Sequence, residues 1–233
     1  MVKWAAIVQP LLDLFLEATC PLCQRSTPGD LCLDCERQLQ ACRLAQPADR
    51  WQGELPVFGW GTYGGKLKRA IAALKYDRHP TLARPLGHWV GQAWQQSQPV
   101  SRSRRLRVVP IPLHAHKLKQ RGFNQAELLA RHFCDYTGLT CCPQGLQRIR
   151  ATEAQFGLSP TARRQNVADA FALGPGLANQ PTGFFPIPTP RSVLLFDDIY
   201  TTGATAHAAA SALRHAGIEV MGIIVLALTQ STT

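Results

Sequence analysis

Four cysteines are spaced as two pairs, Cys20-x2-Cys23 and Cys32-x2-Cys35, with eight residues between the pairs. A two-residue turn aims both thiolates of a pair at one point about 2.3 Å away, the geometry of tetrahedral Zn²⁺. Pro21 and Gly29-Asp30 bring turn chemistry to the knuckles. Four thiolates leave no open coordination position for water, so such a site is structural. The competing reading is two disulfides in an exported chain. Lys3 ahead of the apolar residues 5–16 resembles a leader ending at Cys20, but Pro10 and Asp13 interrupt it. Glu17 and Thr19 also stand where a cleavage site needs an apolar and a small residue, so the expectation is a cytoplasmic chain holding zinc. Cys42, Cys134, Cys141 and Cys142 fall outside the pattern and read as ordinary half-buried thiols.

The second chemical signal is VLLFDDIYTTGAT, residues 193–205. RSVLLF (191–196) reads as a buried strand, 197–205 as a loop, ATAHAAASALRHAG as an Ala-rich helix closed by Gly217, and EVMGIIVLAL as a second buried strand. One β-loop-α-β unit of this kind predicts a parallel sheet. Its loop lies at the carboxyl end of a strand and the amino end of a helix, where open α/β sheets bind ligands and helix N–H groups favour phosphate. Thr201, Thr202 and Thr205 add hydroxyl donors, and Gly203 lets the backbone approach an anion closely. Asp197 and Asp198 suit sugar hydroxyls, or help to hold Mg²⁺. An ordinary Thr helix cap beside an acidic strand end would explain the threonines but not the adjacent Asp pair.

Positioning these groups requires the rest of the 233 residues. Residues 1–45 read as an amphipathic helix with Leu11, Leu12, Phe15 and Leu16 on one side, then the knuckles and a short helix; 46–56 reads as a linker. In 57–233 the patterns give a strand at VFGWGTY, a helix at KLKRAIAALKYD, a helix over 82–96, a short strand in VVPIP (108–112), a helix over 121–138 and a strand in LTCCP. Residues 174–190 hold 8 Gly or Pro and read as irregular. Charge is uneven: residues 1–50 carry 5 basic and 6 acidic side chains, 51–190 carry 18 and 6, and 191–233 carry 2 and 3. A middle segment at net +12 points to a polyanionic partner, against the plainer reading of a solvated basic surface. No apolar run is long enough for a transmembrane helix.

Residues 193–205 resemble the thirteen-residue phosphoribosyl-pyrophosphate motif of type I phosphoribosyltransferases: four apolar residues, two acidic, then TTGAT. VPIPLHAHKLKQRGFNQAELLA (109–130), RIRATEAQFGLSPTARRQNVADAF (148–171) and the knuckle pair behind a Leu-rich helix are similar to the ComF family of late-competence proteins. The resemblance implies an α/β fold, a type I phosphoribosyltransferase-like parallel sheet flanked by helices with a small N-terminal four-Cys zinc module. It implies that Asp197 and Asp198 hold the ribose hydroxyls, and that Thr201, Thr202, Gly203, Ala204 and Thr205 hold the 5′-phosphate. Lys117, Lys119 and Arg121 become the charges of the pyrophosphate loop, and about 148–166, with Arg148, Arg150, Arg163 and Arg164, a mobile lid. The ligand would be phosphoribosyl pyrophosphate with Mg²⁺.

Two functions from different classes follow. The first is a phosphoribosyltransferase of unknown acceptor, since Phe196 and Tyr200 border the motif but read equally well as packing. The second is a catalytically inactive accessory or scaffold of DNA uptake, with single-stranded DNA and competence proteins as partners. On the second reading, Lys66, Lys68, Arg69 and Lys75 form an outer basic helix face, and Trp51, Trp60, Tyr63, Trp89 and Trp94 are stacking candidates, although such aromatics are commonly core.

Overall fold

The computed structural model describes residues 19–77, 79–97, 99, 106–150, 170–178 and 192–229. From Thr19 the chain makes the two cysteine turns and a short helix, α1 (Leu33–Gln40), then strand β1 (Val57–Thr62) and helix α2 (Gly65–Tyr76). A 3-10 turn runs into α3 (Ala83–Ser97); β2 (Arg107–Pro110), α4 (Ala115–Arg121), α5 (Gln125–Thr137) and β3 (Thr140–Cys141) follow. After β4 (Leu146–Arg148), β5 (Phe171–Leu173) and the single turn α6 (Pro175–Ala178) come β6 (Ser192–Tyr200), α7 (Ala204–His215) and β7 (Glu219–Leu228). The expected helix over 5–16, the lid beyond Arg150 and the connection over 179–190 lie outside the described residues.

Five strands form one parallel sheet in the order β1-β7-β6-β2-β3, and β4 pairs antiparallel with β5 beside it. The central strands are apolar on both sides because both faces are covered. Leu194, Phe196, Ile224 and Leu226 pack with α2, α3 and α5, where the Phe133 and Phe196 rings lie 5.4 Å apart. Val193, Leu195, Ile223 and Val225 pack with the alanines of α7 and with Leu146 and Phe171 of the small sheet. From β6 the chain crosses through α7 to β7 on one side; from β2 it crosses through α5 to β3 on the other. Right-handed crossovers in opposite directions place α5 and α7 on opposite faces. The loops after β6 and β2 therefore part company at their shared carboxyl edge, leaving a crevice between them.

Three details differ from the sequence patterns. The strand expected to stop at Phe196 runs on to Tyr200, because β7 pairs alongside it through Asp197↔Val225, Ile199↔Ala227 and Tyr200↔Leu228. Both aspartates therefore sit in a strand, not in the loop. The helix expected over 121–138 starts later, at Gln125, because a separate helix, α4, precedes it and ends at Gly122 (φ 86°) in the left-handed conformation. Asn124 then caps α5, accepting from the Ala126 N–H at 3.1 Å and donating to the Ile111 carbonyl at 3.0 Å. The indoles are packing groups: Trp60 is buried and stacked on Trp89, and Trp94 is wedged edge-on between Trp51 and Phe58.

Residues 42–50 lie along the outer edge of β1, with Leu44 N–H donating to Trp60 O, Thr62 N–H to Cys42 O and Gly59 N–H to Pro47 O. That covers an otherwise open sheet edge. Leu22, Leu31, Cys35 and Leu39 share the core of α2 and β1, and Arg84 of α3 grips Asp30 through two hydrogen bonds of 2.8 and 2.9 Å.

Helices α3 and α5 meet through glycine: a Cβ on Gly87 would stand 2.7 Å from both His132 Cβ and the Leu129 carbonyl. Gly87→Ala is expected to cost about 1–3 kcal/mol by overpacking. The check is a lowered denaturant midpoint with an unchanged slope, and a smaller loss for Gly91→Ala, where the nearest atoms are Tyr136 side-chain carbons at 3.0 Å.

Candidate functional site

Two carboxylates end β6. Successive strand residues point to opposite faces, so Asp198 turns toward α2 and α5 while Asp197 turns to the other side. Asp198 is 4% exposed. Lys75 of α2 forms an ion pair with its Oδ2, and Gln125 Nε2 donates to its Oδ1 at 3.1 Å. Arg121 donates in turn to Gln125 Oε1, so a continuous polar chain runs from α4 through α5 to β6 and α2. Burial opposes the Asp198 charge, but the Lys75 ammonium and the two hydrogen bonds outweigh it and hold this carboxyl below its ordinary range. Burial likewise opposes the Lys75 charge, and Asp198 outweighs it, raising the ammonium's pKa. Asp197 accepts from its neighbour's backbone N–H at 2.8 Å. Burial and the adjacent Asp198 charge push its carboxyl well above the usual value, moderated by the Asp198 backbone N–H and the Lys75 charge.

The loop after β6 opens directly onto α7. Thr201 and Thr202 are exposed, Gly203 is buried at the helix cap with φ 77°, and Ala204 and Thr205 are half-buried in the first turn. A side chain at Gly203 would demand an unfavourable backbone and run into the Tyr200 hydroxyl. Thr201 and Thr202 thus lie exposed beside the helix start, where Thr202 Oγ1 accepts from the Ala204 N–H at 3.5 Å. Across the crevice, Arg121 is half-buried, whereas Lys117 and Lys119 are exposed and make no hydrogen bond or ion pair among the described residues. The fold thus brings Asp197, Asp198, the Thr201–Thr205 loop and Arg121 to one edge and leaves the two lysines on its rim. Arg148 lies on the Asp197 side, where that carboxylate supports its charge against burial.

Lys75 and Gln125 are the residues that the sequence patterns miss. Lys75 was expected on an outer basic face, but it continues the Leu67–Ile71 stripe at steps of four and so points inward. That periodicity was the available signal. Gln125 carried none, because its role depends on where Asn124 starts α5.

At the other end of the chain, one ligand atom from each of Cys20, Cys23, Cys32 and Cys35 lies within 4.8 Å of all the others. Tetrahedral sulfurs at about 2.3 Å from a metal would be about 3.8 Å apart, and Cys23 Sγ and Cys32 Sγ are 3.4 Å apart. The donor set is therefore consistent with structural Zn²⁺. Crowding divides the thiols: burial opposes the Cys20 charge, but backbone N–H groups of Cys32, Leu22 and Cys23 bring it down to about 6. Burial and the neighbouring thiols push Cys35 up to about 12. A divalent cation removes that conflict by taking all four as thiolates. The turn between the knuckles is tied by Thr27, whose hydroxyl donates to Leu31 O at 3.0 Å.

The acidic pair generates a stability prediction. Lys75→Met leaves Asp198 buried without its cation and should cost about 3–5 kcal/mol, and Lys75→Met/Asp198→Asn should recover much of that. Asp197 has its folded pKa raised above an unfolded value of about 3.9, so the wild type loses stability as pH rises between the two. Asp197→Asn should abolish that loss and raise the denaturation midpoint at neutral pH, measured by urea titration across pH 4–8.

No family model matches the chain. Competence protein F of Haemophilus influenzae is 33% identical over 112 residues, 48% of this chain and 45% of that protein. DNA utilization protein YhgH of Salmonella typhimurium is 28% identical over 221 residues, and its Escherichia coli counterpart 27% over 224, each alignment covering 90% of both chains. The chain is thus similar to DNA utilization protein YhgH over nine tenths of its length, and to Competence protein F over about half of it.

Proposed function

We propose that the chain binds phosphoribosyl pyrophosphate, with Mg²⁺, across the crevice between β6 and β2, and transfers its phosphoribosyl group within a role in DNA utilization or competence. The fold is then type I phosphoribosyltransferase-like. The observation that carries this reading is the meeting, at one topological switch point, of an acidic strand end, a Thr-Gly helix start and a basic helix from the opposite crossover. In this reading the Thr201–Thr205 loop takes the 5′-phosphate through backbone N–H groups and hydroxyls. Asp197 accepts from a ribose hydroxyl, and Asp198, held by Lys75 and Gln125, orients the second. Transfer breaks the bond from C1 to the pyrophosphate oxygen, the electron pair leaving with pyrophosphate, while an acceptor nucleophile forms the new bond to C1 and gives up its proton. Positive charge then builds on the ribose beside two carboxylates, and negative charge on the leaving group beside Arg121. Mg²⁺ on the pyrophosphate would neutralise part of that negative charge. Asp197 is the oxygen donor suited to it, because Asp198 already has its cation.

A second reading, a single-strand-handling accessory without turnover, is favoured by the name that the relatives YhgH carry and by the exposed cations of α2 and α4. The four-Cys unit on the far edge of β1 would then be the contact for partner proteins. The domain division in both readings is 1–45, 46–56 and 57–233. Of the basic residues on α2, Lys68 and Arg69 are exposed and Lys66 half-buried, while Lys75 pairs with Asp198.

Calorimetry with phosphoribosyl pyrophosphate and Mg²⁺ tests the first reading. Asp197→Asn should weaken binding by about 1.5–3 kcal/mol, Gly203→Val more severely, and Thr202→Val less, since the backbone donors remain. Arg121→Ala should weaken pyrophosphate more than ribose 5-phosphate. A folded protein with no saturable binding of either sugar phosphate at millimolar concentration excludes it. For the cysteines, the expected zinc content is one per chain, lost on Cys32→Ser and retained on Cys42→Ser. Metal analysis of anaerobically purified protein decides, and a metal-free chain with two disulfides would refute the assignment.

A further inference from the structure

Tyr76, the last residue of α2, is 72% exposed, the highest value among the large apolar side chains described. It is not left bare: the Arg121 guanidinium, from the last turn of α4, lies over its ring at 5.4 Å from the centroid. An exposed aromatic face beside a cation is what a nucleobase stacks on. The surroundings carry the matching charge. On α2, Lys68, Arg69 and Tyr76 share the exposed stripe, with half-buried Ala72 between them. That stripe runs about 12 Å from Lys68 to Tyr76, room for roughly three phosphates of a single strand. On α4, Lys117 and Lys119 are exposed and free of ion pairs among the described residues, with Leu118 42% exposed between them. Neither helix contains an acidic residue, and Asp77 follows α2 directly. The indoles of Trp51, Trp60, Trp89 and Trp94, by contrast, pack on one another and on Phe58.

We propose that Tyr76, flanked by Arg121, is a base-stacking platform for single-stranded nucleic acid, with Lys68, Arg69, Lys117 and Lys119 as its phosphate contacts. This deepens the nucleic-acid reading above and rests on it, but is independent of whether phosphoribosyl transfer occurs. Arg121 joins the two regions: it covers the Tyr76 ring and donates to Gln125, which donates to Asp198. Two side chains, Arg121 and Gln125, thus separate this surface from the acidic pair. An apolar protein partner fits the surface poorly, because isolated Tyr76 and Leu118 stand among cations rather than in a continuous apolar patch.

The test is fluorescence anisotropy with a labelled fifteen-residue oligothymidylate at low salt, with an oligomer of abasic residues and free dTMP as comparison ligands. Tyr76→Ala should weaken oligothymidylate about 5- to 150-fold, leave the salt slope unchanged and leave the abasic oligomer unaffected. Tyr76→Phe should bind as the wild type. Arg69→Ala should lower the salt slope by about one phosphate contact for every sequence. Equal binding by Tyr76→Ala and wild type, or equal binding of the abasic and thymidylate strands by the wild type, overturns the platform alone. Binding of dTMP but not of the oligomer overturns it in favour of a free-nucleotide site. No binding of any strand at low salt removes the nucleic-acid reading and the platform together, while phosphoribosyl pyrophosphate binding by the same preparation remains a separate outcome.

Discussion

Two adjacent carboxylates at the end of a central, doubly covered strand are the constraint around which this fold is arranged. A parallel strand buried on both faces has no water to solvate a charge. Asp198 is there because Lys75 and Gln125 replace that water. The requirement reaches far along the chain: the cation comes from the helix after the first strand, the amide from the helix after the second. Three elements that are distant in sequence must therefore close on one side chain. Asp197 has a weaker set of partners, its neighbour's N–H and partial solvent, and bears the strain of the pair.

The same carboxylate edge explains the topology's usefulness. Crossovers leaving β6 and β2 in opposite directions open a crevice that no side chain from the sheet can fill. On one wall the chain presents a helix start with Gly203 in a left-handed conformation; on the other, a helix end rich in cations, closed by Gly122 in the same conformation. A helix start favours anions and a basic helix end supplies cations, so both walls attract one kind of ligand, while the floor between them is acidic. A ligand with phosphates at its ends and hydroxyls at its middle matches that order of charge.

Much of this was legible in the sequence, for physical reasons. The cysteine pairs were legible because metal ligation fixes spacing locally. The β-loop-α-β unit was legible because a buried strand is apolar throughout and Gly217 marks a helix end. The Thr201–Thr205 loop and the aspartates could be found because all nine residues from Asp197 to Thr205 are contiguous. What the sequence hid depends on contacts between distant segments. The extension of β6 through Asp197 and Asp198 follows from β7 lying alongside, not from local propensity. The role of Tyr76 follows from α4 reaching it. The indoles misled for the opposite reason: their amphipathic rings suit both stacking and packing, and only the tertiary fold decides between them.

The arrangement also shows where stability yields to binding. A sequence chosen for stability alone would place valine at 197 and 198, as β7 does opposite Asp197 with Val225. It would fill the Gly203 turn and shield Tyr76. Instead the chain holds a carboxyl whose charge the fold resists, a helix start with no side-chain cap, and an exposed aromatic ring with an arginine over it. Each departs from what local packing favours, and all three lie within a few residues of one crevice. Under the proposed reading, a ligand seated in the crevice would supply the partners that these three groups lack.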